Sequence, residues 1–208
     1  MNLSRIEKSI FAAAVLLVAL IVFPVIASAN TLLYYTSSPS SWVGHGETVT
    51  VSPSDGFDFF VSRNFDQGVS FRIDNLATNP DPWSHKWWLI DFAAPFDAPL
   101  QVGHHGNATR FPFQDPSVPG LAFCGNGRGD NTLTGYFDVF EAVYDTNSEV
   151  TSFAADFVQY DEGIEDWWNR GSVRYNSEIP IPEPSTILLF GFGLASLFAC
   201  KTSHRGRV

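Results

Sequence analysis

An all-β domain of the antiparallel β-sandwich or jelly-roll kind is what this sequence predicts, on three observations. Apolar and polar residues alternate with period two along many short stretches. Turn-forming clusters separate those stretches at fairly regular spacing, and sustained helical periodicity is nearly absent. A parallel α/β fold needs long amphipathic helices between its strands, and the chain offers none.

The elements follow in order. Val49 and Val51 alternate with Thr48, Thr50 and Ser52, the signature of a strand with one buried face. Ser54-Asp55-Gly56 is a turn before a strand at 57–61, and Asp66-Gln67-Gly68 precedes Val69, Phe71 and Ile73, which alternate with Ser70, Arg72 and Asp74. Asn79-Pro80-Asp81-Pro82 breaks the chain before a strand at 87–92. Residues 94–120 carry Pro95, Pro99, Pro112, Pro116 and Pro119, too many for a central strand, and read as one long ordered loop. The glycine-rich run Gly125-Asn126-Gly127-Arg128-Gly129 reads as a turn needing positive φ. Strands follow at 136–144, 150–160 and 172–176; the β-branched and aromatic content of 148–157 favours strand over helix there. The serine-rich stretch 35–46 reads as a second surface loop, and 177–182 as a short polar tether.

The two ends have a different character. Arg5 and Lys8 precede an apolar run at 10–27, and Ala27-Ser28-Ala29 is a small-x-small site. These are the three regions of a secretory signal peptide spanning residues 1–29, cut by signal peptidase between Ala29 and Asn30; a retained signal anchor is the rival reading. At the other end Pro182, Glu183 and Pro184 form an extended, accessible motif, followed by an apolar run at 187–200 and then by Lys201, Arg205 and Arg207. The run is short for a spanning helix but sufficient with bilayer thinning, so a C-terminal transmembrane helix is expected. Trailing basic residues favour a cytoplasmic C-terminus. A plain membrane anchor is the simpler alternative. The chain therefore divides into a signal peptide (1–29), an extracytoplasmic β domain (30–178) and a tail (179–208).

Charge and cysteine content narrow the function. Of 12 basic and 22 acidic residues, five basic and one acidic fall outside residues 30–184, leaving seven against 21 and a net charge of −14 within them. Such a polyanion is repelled by nucleic acid and by anionic lipid head groups. Cys200 lies in the apolar tail, so Cys124 stands alone and no internal disulfide is available to the mature domain. With Phe123 beside it, Cys124 reads as a small buried hydrophobe.

No strong enzymatic motif is present. His104, His105 and His85 are imidazole candidates for a metal, but adjacent strand residues point to opposite faces, which favours simple loop histidines. Asp161, Glu162, Glu165 and Asp166 cluster locally, without the cleft that paired-carboxylate hydrolysis requires. Aromatics are the better lead: Trp42, Trp88 and Trp168 are candidate stacking platforms for a sugar ring, against the simpler reading of single or covered surface tryptophans.

The tail, from Pro182 to the C-terminus, resembles the PEP-CTERM sorting signal of exopolysaccharide-producing Gram-negative bacteria. The resemblance implies an exosortase that cuts near Pro182-Glu183-Pro184. The body also resembles a group of uncharacterised secreted bacterial all-β domains, through Gly125-Asn126-Gly127-Arg128-Gly129-Asp130-Asn131, Gly135-Tyr136-Phe137-Asp138-Val139 and Gly171-Ser172-Val173-Arg174-Tyr175 among other segments. In that group cysteines commonly stand where this chain has Asp130 and Asp161. The resemblance thus implies that the two aspartates are neighbours replacing a disulfide. Carboxylates that close repel one another, so one is protonated, both are solvated, or a cation, calcium above all, lies between Asp130 and Asp161; two solvated loop aspartates pointing apart are the simpler alternative. No other cofactor is expected.

Together these readings describe an exported, non-enzymatic protein. The inner membrane holds it transiently through the C-terminal helix, and exosortase processing delivers it to the cell surface or exopolysaccharide matrix. A carbohydrate-binding module is the alternative, and an exported hydrolase the third class.

Overall fold

The computed structural model describes residues 29–181. Ala27, the sorting residues Pro182, Glu183 and Pro184, and both apolar runs lie outside them. Among the described residues no helix is long and apolar enough to cross a membrane.

Ten strands form the domain: β1 (Asn30–Ser37), β2 (Thr48–Val51), β3 (Asp58–Arg63), β4 (Val69–Asp74), β5 (Trp87–Ala93), β6 (Gly103–Arg110), β7 (Gly120–Gly125), β8 (Leu133–Tyr144), β9 (Val150–Asp161) and β10 (Trp168–Ser177). The fold is all-β, as expected, but it is one curled sheet rather than two stacked ones. Strand order is β2-β1-β10-β9-β8-β6-β7-β5-β4-β3. Every pairing is antiparallel except β6 with β7, which run parallel through Thr109↔Gly120 and Arg110↔Leu121. The sheet is therefore mixed, and its half-barrel curl supplies the second layer that a sandwich would have provided.

Aromatic packing shows the curl directly. β4 and β9 lie five strand spacings apart, about 24 Å if the sheet were flat. Yet the rings of Phe71 and Phe153 on those strands have centroids 5.5 Å apart. Tyr35 of β1 meets Phe123 of β7 at 5.0 Å, and Phe92 of β5 meets Phe137 of β8 at 5.0 Å. The concave side is thus filled by Phe71, Phe92, Phe123, Phe137, Phe153 and Phe157, with Leu33, Ile73 and Ile90 between them. Truncating one such ring to alanine costs about 3–5 kcal/mol. Space for these rings is made by glycine. A Cβ on Gly171 would stand 2.3 Å from Phe157 Cζ, so β10 can carry no larger residue where that ring lies against it.

Two sequence expectations are corrected. The proline-rich stretch 94–120 is not one loop, because its prolines bracket a proline-free segment that forms β6 between β8 and β7. The serine-rich stretch 35–46 begins inside β1, and its Ser37, Ser38, Ser41 and Val43 are buried rather than on the surface. Seven of the ten strands are legible from alternation; β1, β6 and β7 are not.

Candidate functional site

The three candidate tryptophans do not converge. Trp88 points into the core, only 4% exposed, where its ring packs against Tyr35 at 5.9 Å and Phe57 at 5.8 Å. It is unavailable to stack on a ligand, which corrects the expectation for that residue. Trp42 is 55% exposed in the loop after β1, with His45 5.7 Å away. Trp168 lies half-buried on the convex side of β10, under the Arg170 guanidinium at 4.6 Å. Trp83, not among the candidates, is 94% exposed in the β4–β5 connection; its place between Pro82 and Ser84 was the available signal.

The structure does bring Asp130 and Asp161 together. Gln159 Nε2 donates to Asp130 Oδ2 at 2.8 Å and lies 3.3 Å from Asp161 Oδ1. Asp161, fully buried at the end of β9, also accepts from Ser41 Oγ at 2.7 Å, the Val43 backbone N–H at 3.1 Å and Asn169 Nδ2 at 2.6 Å. Gln159 further ties the two sides of the curl together, pairing with both N–H and C=O of Phe123 at 2.8 and 2.9 Å. Asp130, 8% exposed, leaves Oδ1 without a partner. Burial, then the charge of Asp161 and a hydrogen bond with it, push the Asp130 carboxyl up to about 8. Gln159 Nε2 thus bridges two buried carboxyl groups, and of the two it is Asp130 whose acid form burial favours.

The oxygens of Asp161 that a cation would need are already engaged by hydrogen-bond donors, N–H and O–H groups alike. The neighbouring oxygens are also committed: Asn126 Oδ1 accepts from Trp87 N at 3.0 Å, and Glu162 caps Asn131 N and Thr132 Oγ1 at 3.1 and 2.9 Å. Among the described residues no group of three or more His, Cys, Asp or Glu is arranged to hold a metal.

The remaining candidates are dispersed. His104 pairs with Asp138 at 2.7 Å on the convex face, whereas His105 stacks on Phe137 at 4.6 Å on the concave face. Asp161 points inward while Glu162, Glu165 and Asp166 are exposed, so these carboxylates do not face one another across a cleft. Cys124 is half-buried, and burial pushes its thiol up to about 11, far from a reactive thiolate.

Both ends of the domain leave from one place. Asn30, at the expected signal cleavage site, pairs with Ser177, the last residue of β10. Beyond Ser177 the chain is not a free tether. Arg174, 1% exposed, uses all five of its N–H donors, two of them on fixing it. Nε donates to Ile179 O at 3.0 Å and Nη2 to Pro180 O at 3.1 Å. The other donors reach Asp156 Oδ1 at 2.9 Å, Ala155 O at 2.8 Å and Val173 O at 3.0 Å. Ser177 adds a hydroxyl contact to Glu141 and accepts Ile179 N at 3.1 Å.

The segment held this way is the start of a recognisable motif. Residues 180–201 match the family model of the PEP-CTERM protein-sorting motif, which implies processing by an exosortase. Comparison of the chain with curated proteins and with solved structures returns no match.

Proposed function

We propose that this chain is an exported, non-catalytic component of the cell surface or exopolysaccharide matrix, held at the inner membrane by its C-terminal segment until an exosortase cuts it. The carrying observation is the sorting motif at 180–201, joined without slack to a self-contained β domain. The domain's geometry supports the topology. Asn30 and Ser177 are register partners, so a signal segment before one and a membrane segment after the other emerge from the same end. One membrane then accommodates both, with the whole domain on its outer side. The acidic surface keeps the released domain soluble and off anionic lipid.

Glu183 tests the reading. It follows the Arg174-held segment in sequence, lies between two prolines and falls outside the described residues. Glu183→Ala is expected to block tail removal in the native host while changing domain stability by less than about 0.5 kcal/mol. Intact-mass analysis of the cell-surface fraction reads the outcome; normal removal of the tail from the variant refutes the assignment.

A further inference from the structure

The convex face of β1, β10, β9 and β8 carries a trough that none of the sites above uses. Register sets its rows. Thr36, Arg170, Val158 and Tyr136 lie side by side across four strands. In the next row stand Tyr34, Ser172, Asp156 and Asp138. Ser172 and Val158 make a low floor, and Tyr34 and Tyr136 rise on strands three spacings apart, about 14 Å. A cavity of ≈ 370 Å³ lies between them, and a second of ≈ 610 Å³ continues past Tyr136 to Tyr160. Pairing of β6 with β8 skips between His105 and Ala108, so a bulge at Gly106 and Asn107 leaves Tyr136 without a partner on that side and opens the trough there.

The chemistry of the lining selects among ligands. Asp156 is neutralised by Arg174 at 2.9 Å, and the charge of Asp138, whose Oδ1 lies 2.7 Å from His104 Nδ1, is balanced in sum by the Arg170 cation that lies over Trp168. The trough is therefore close to electroneutral, within a segment whose seven basic and 21 acidic residues give a net charge of −14. An anionic polymer is repelled by the whole, and a cationic one finds no net charge in the trough to hold it there. An uncharged ligand with flat C–H faces and many hydroxyls fits: its faces stack on Tyr34, Tyr136 and Tyr160, and its hydroxyls meet carboxylate, phenol, guanidinium and serine groups between them. We propose that this trough binds an uncharged polysaccharide along the β1-to-β8 direction, an assignment that rests on the domain working in an extracellular matrix.

Retention of the purified full-length chain, in a zwitterionic detergent without a sugar head group, reads binding independently of how the host sorts the protein. The immobilised probes are dextran, mixed-linkage β-glucan, galactomannan and the neutral polysaccharide fraction of the host's own matrix, with alginate as the charged control. At least one neutral probe is expected to retain the protein. Tyr34→Ala and Tyr136→Ala are each expected to weaken retention by about tenfold at unchanged melting temperature. Tyr136→Leu, which keeps apolar bulk without a flat ring, is expected to lose as much, and Trp83→Ala nothing. Absence of retention on every neutral probe, tighter retention on alginate, or full retention by the tyrosine variants overturns the proposal. Self-association abolished by Tyr136→Ala makes a second copy the occupant and overturns it, as does glycan binding that appears only after removal of residues 182–208. Normal tail processing with no glycan binding leaves the sorting reading standing and refutes the trough alone.

Discussion

At the scale of single residues, the most consequential pair is Asp130 and Asp161. A Gln159 bridge between two buried carboxyls stands where the resemblance implies a covalent link in other such domains, and the proton on Asp130 is lost with pH where a disulfide is not. Asp130 titrates near 8 when folded and near the ordinary carboxylate value, about 3.9, when unfolded. The folded state therefore binds the extra proton between those values. Its stabilisation is complete below about pH 4 and is lost as pH rises through about 8. The groups influencing Asp130 are Asp161, Glu162 and Gln159. Cys124 and Arg110 line the same cavity, as does Asp91, whose carboxyl burial also raises. Asp130→Asn, which keeps the shape and removes the titration, is expected to flatten the pH dependence between 5 and 8. It is also expected to raise the melting temperature at pH 8 by about 2–4 °C. Thermal melts of both proteins at half-unit pH steps check this, and parallel slopes would refute it.

At the scale of elements, β10 does the most. Its inward residues Asn169, Gly171 and Val173 serve the acid pair and the aromatic core, while its outward residues Trp168, Arg170 and Ser172 line or flank the trough. Arg174, at its end, is a charged residue taken out of water because five acceptors surround it. Removing one member of such a pair leaves the other uncompensated. Arg174→Ala is expected to destabilise the domain by about 3–5 kcal/mol and to free residues 178–181 from the sheet. Urea unfolding measures the first, and amide exchange at Ile179 the second. Unchanged protection at Ile179 would show that Arg174 does not hold the segment.

For the molecule as a whole, the pairing of Asn30 with Ser177 places both chain exits at one end, and the acid pair lies near the other, where Ser37 meets Asn169. In an exported protein held by its tail, the first end faces the membrane and the second faces outward. On the proposed topology, deleting residues 187–208 removes the segment that holds the protein at the membrane after signal cleavage. The truncated domain is then expected in the periplasm or medium rather than in the inner membrane. Fractionation of the host decides it, and continued inner-membrane retention of the cleaved, truncated protein would contradict the topology.

Sequence alone determined the all-β class, seven of the strands and the sorting tail, because each is written in local signals: period-two alternation, turn residues, and a proline motif followed by apolar and basic runs. It did not disclose β6, whose Gly103–Arg110 is poor in apolar residues and flanked by prolines, nor the single curled sheet, since curl depends on which distant strands pair. Inward or outward direction was likewise beyond local reading. Trp88 faces the core and Tyr136 the trough only because pairing set each strand's faces, and a one-residue change of register would exchange them. The acid pair, the Arg174 clamp and the trough share that origin. Their residues lie far apart along the chain, and only tertiary structure brings their charges and faces close enough to act on one another.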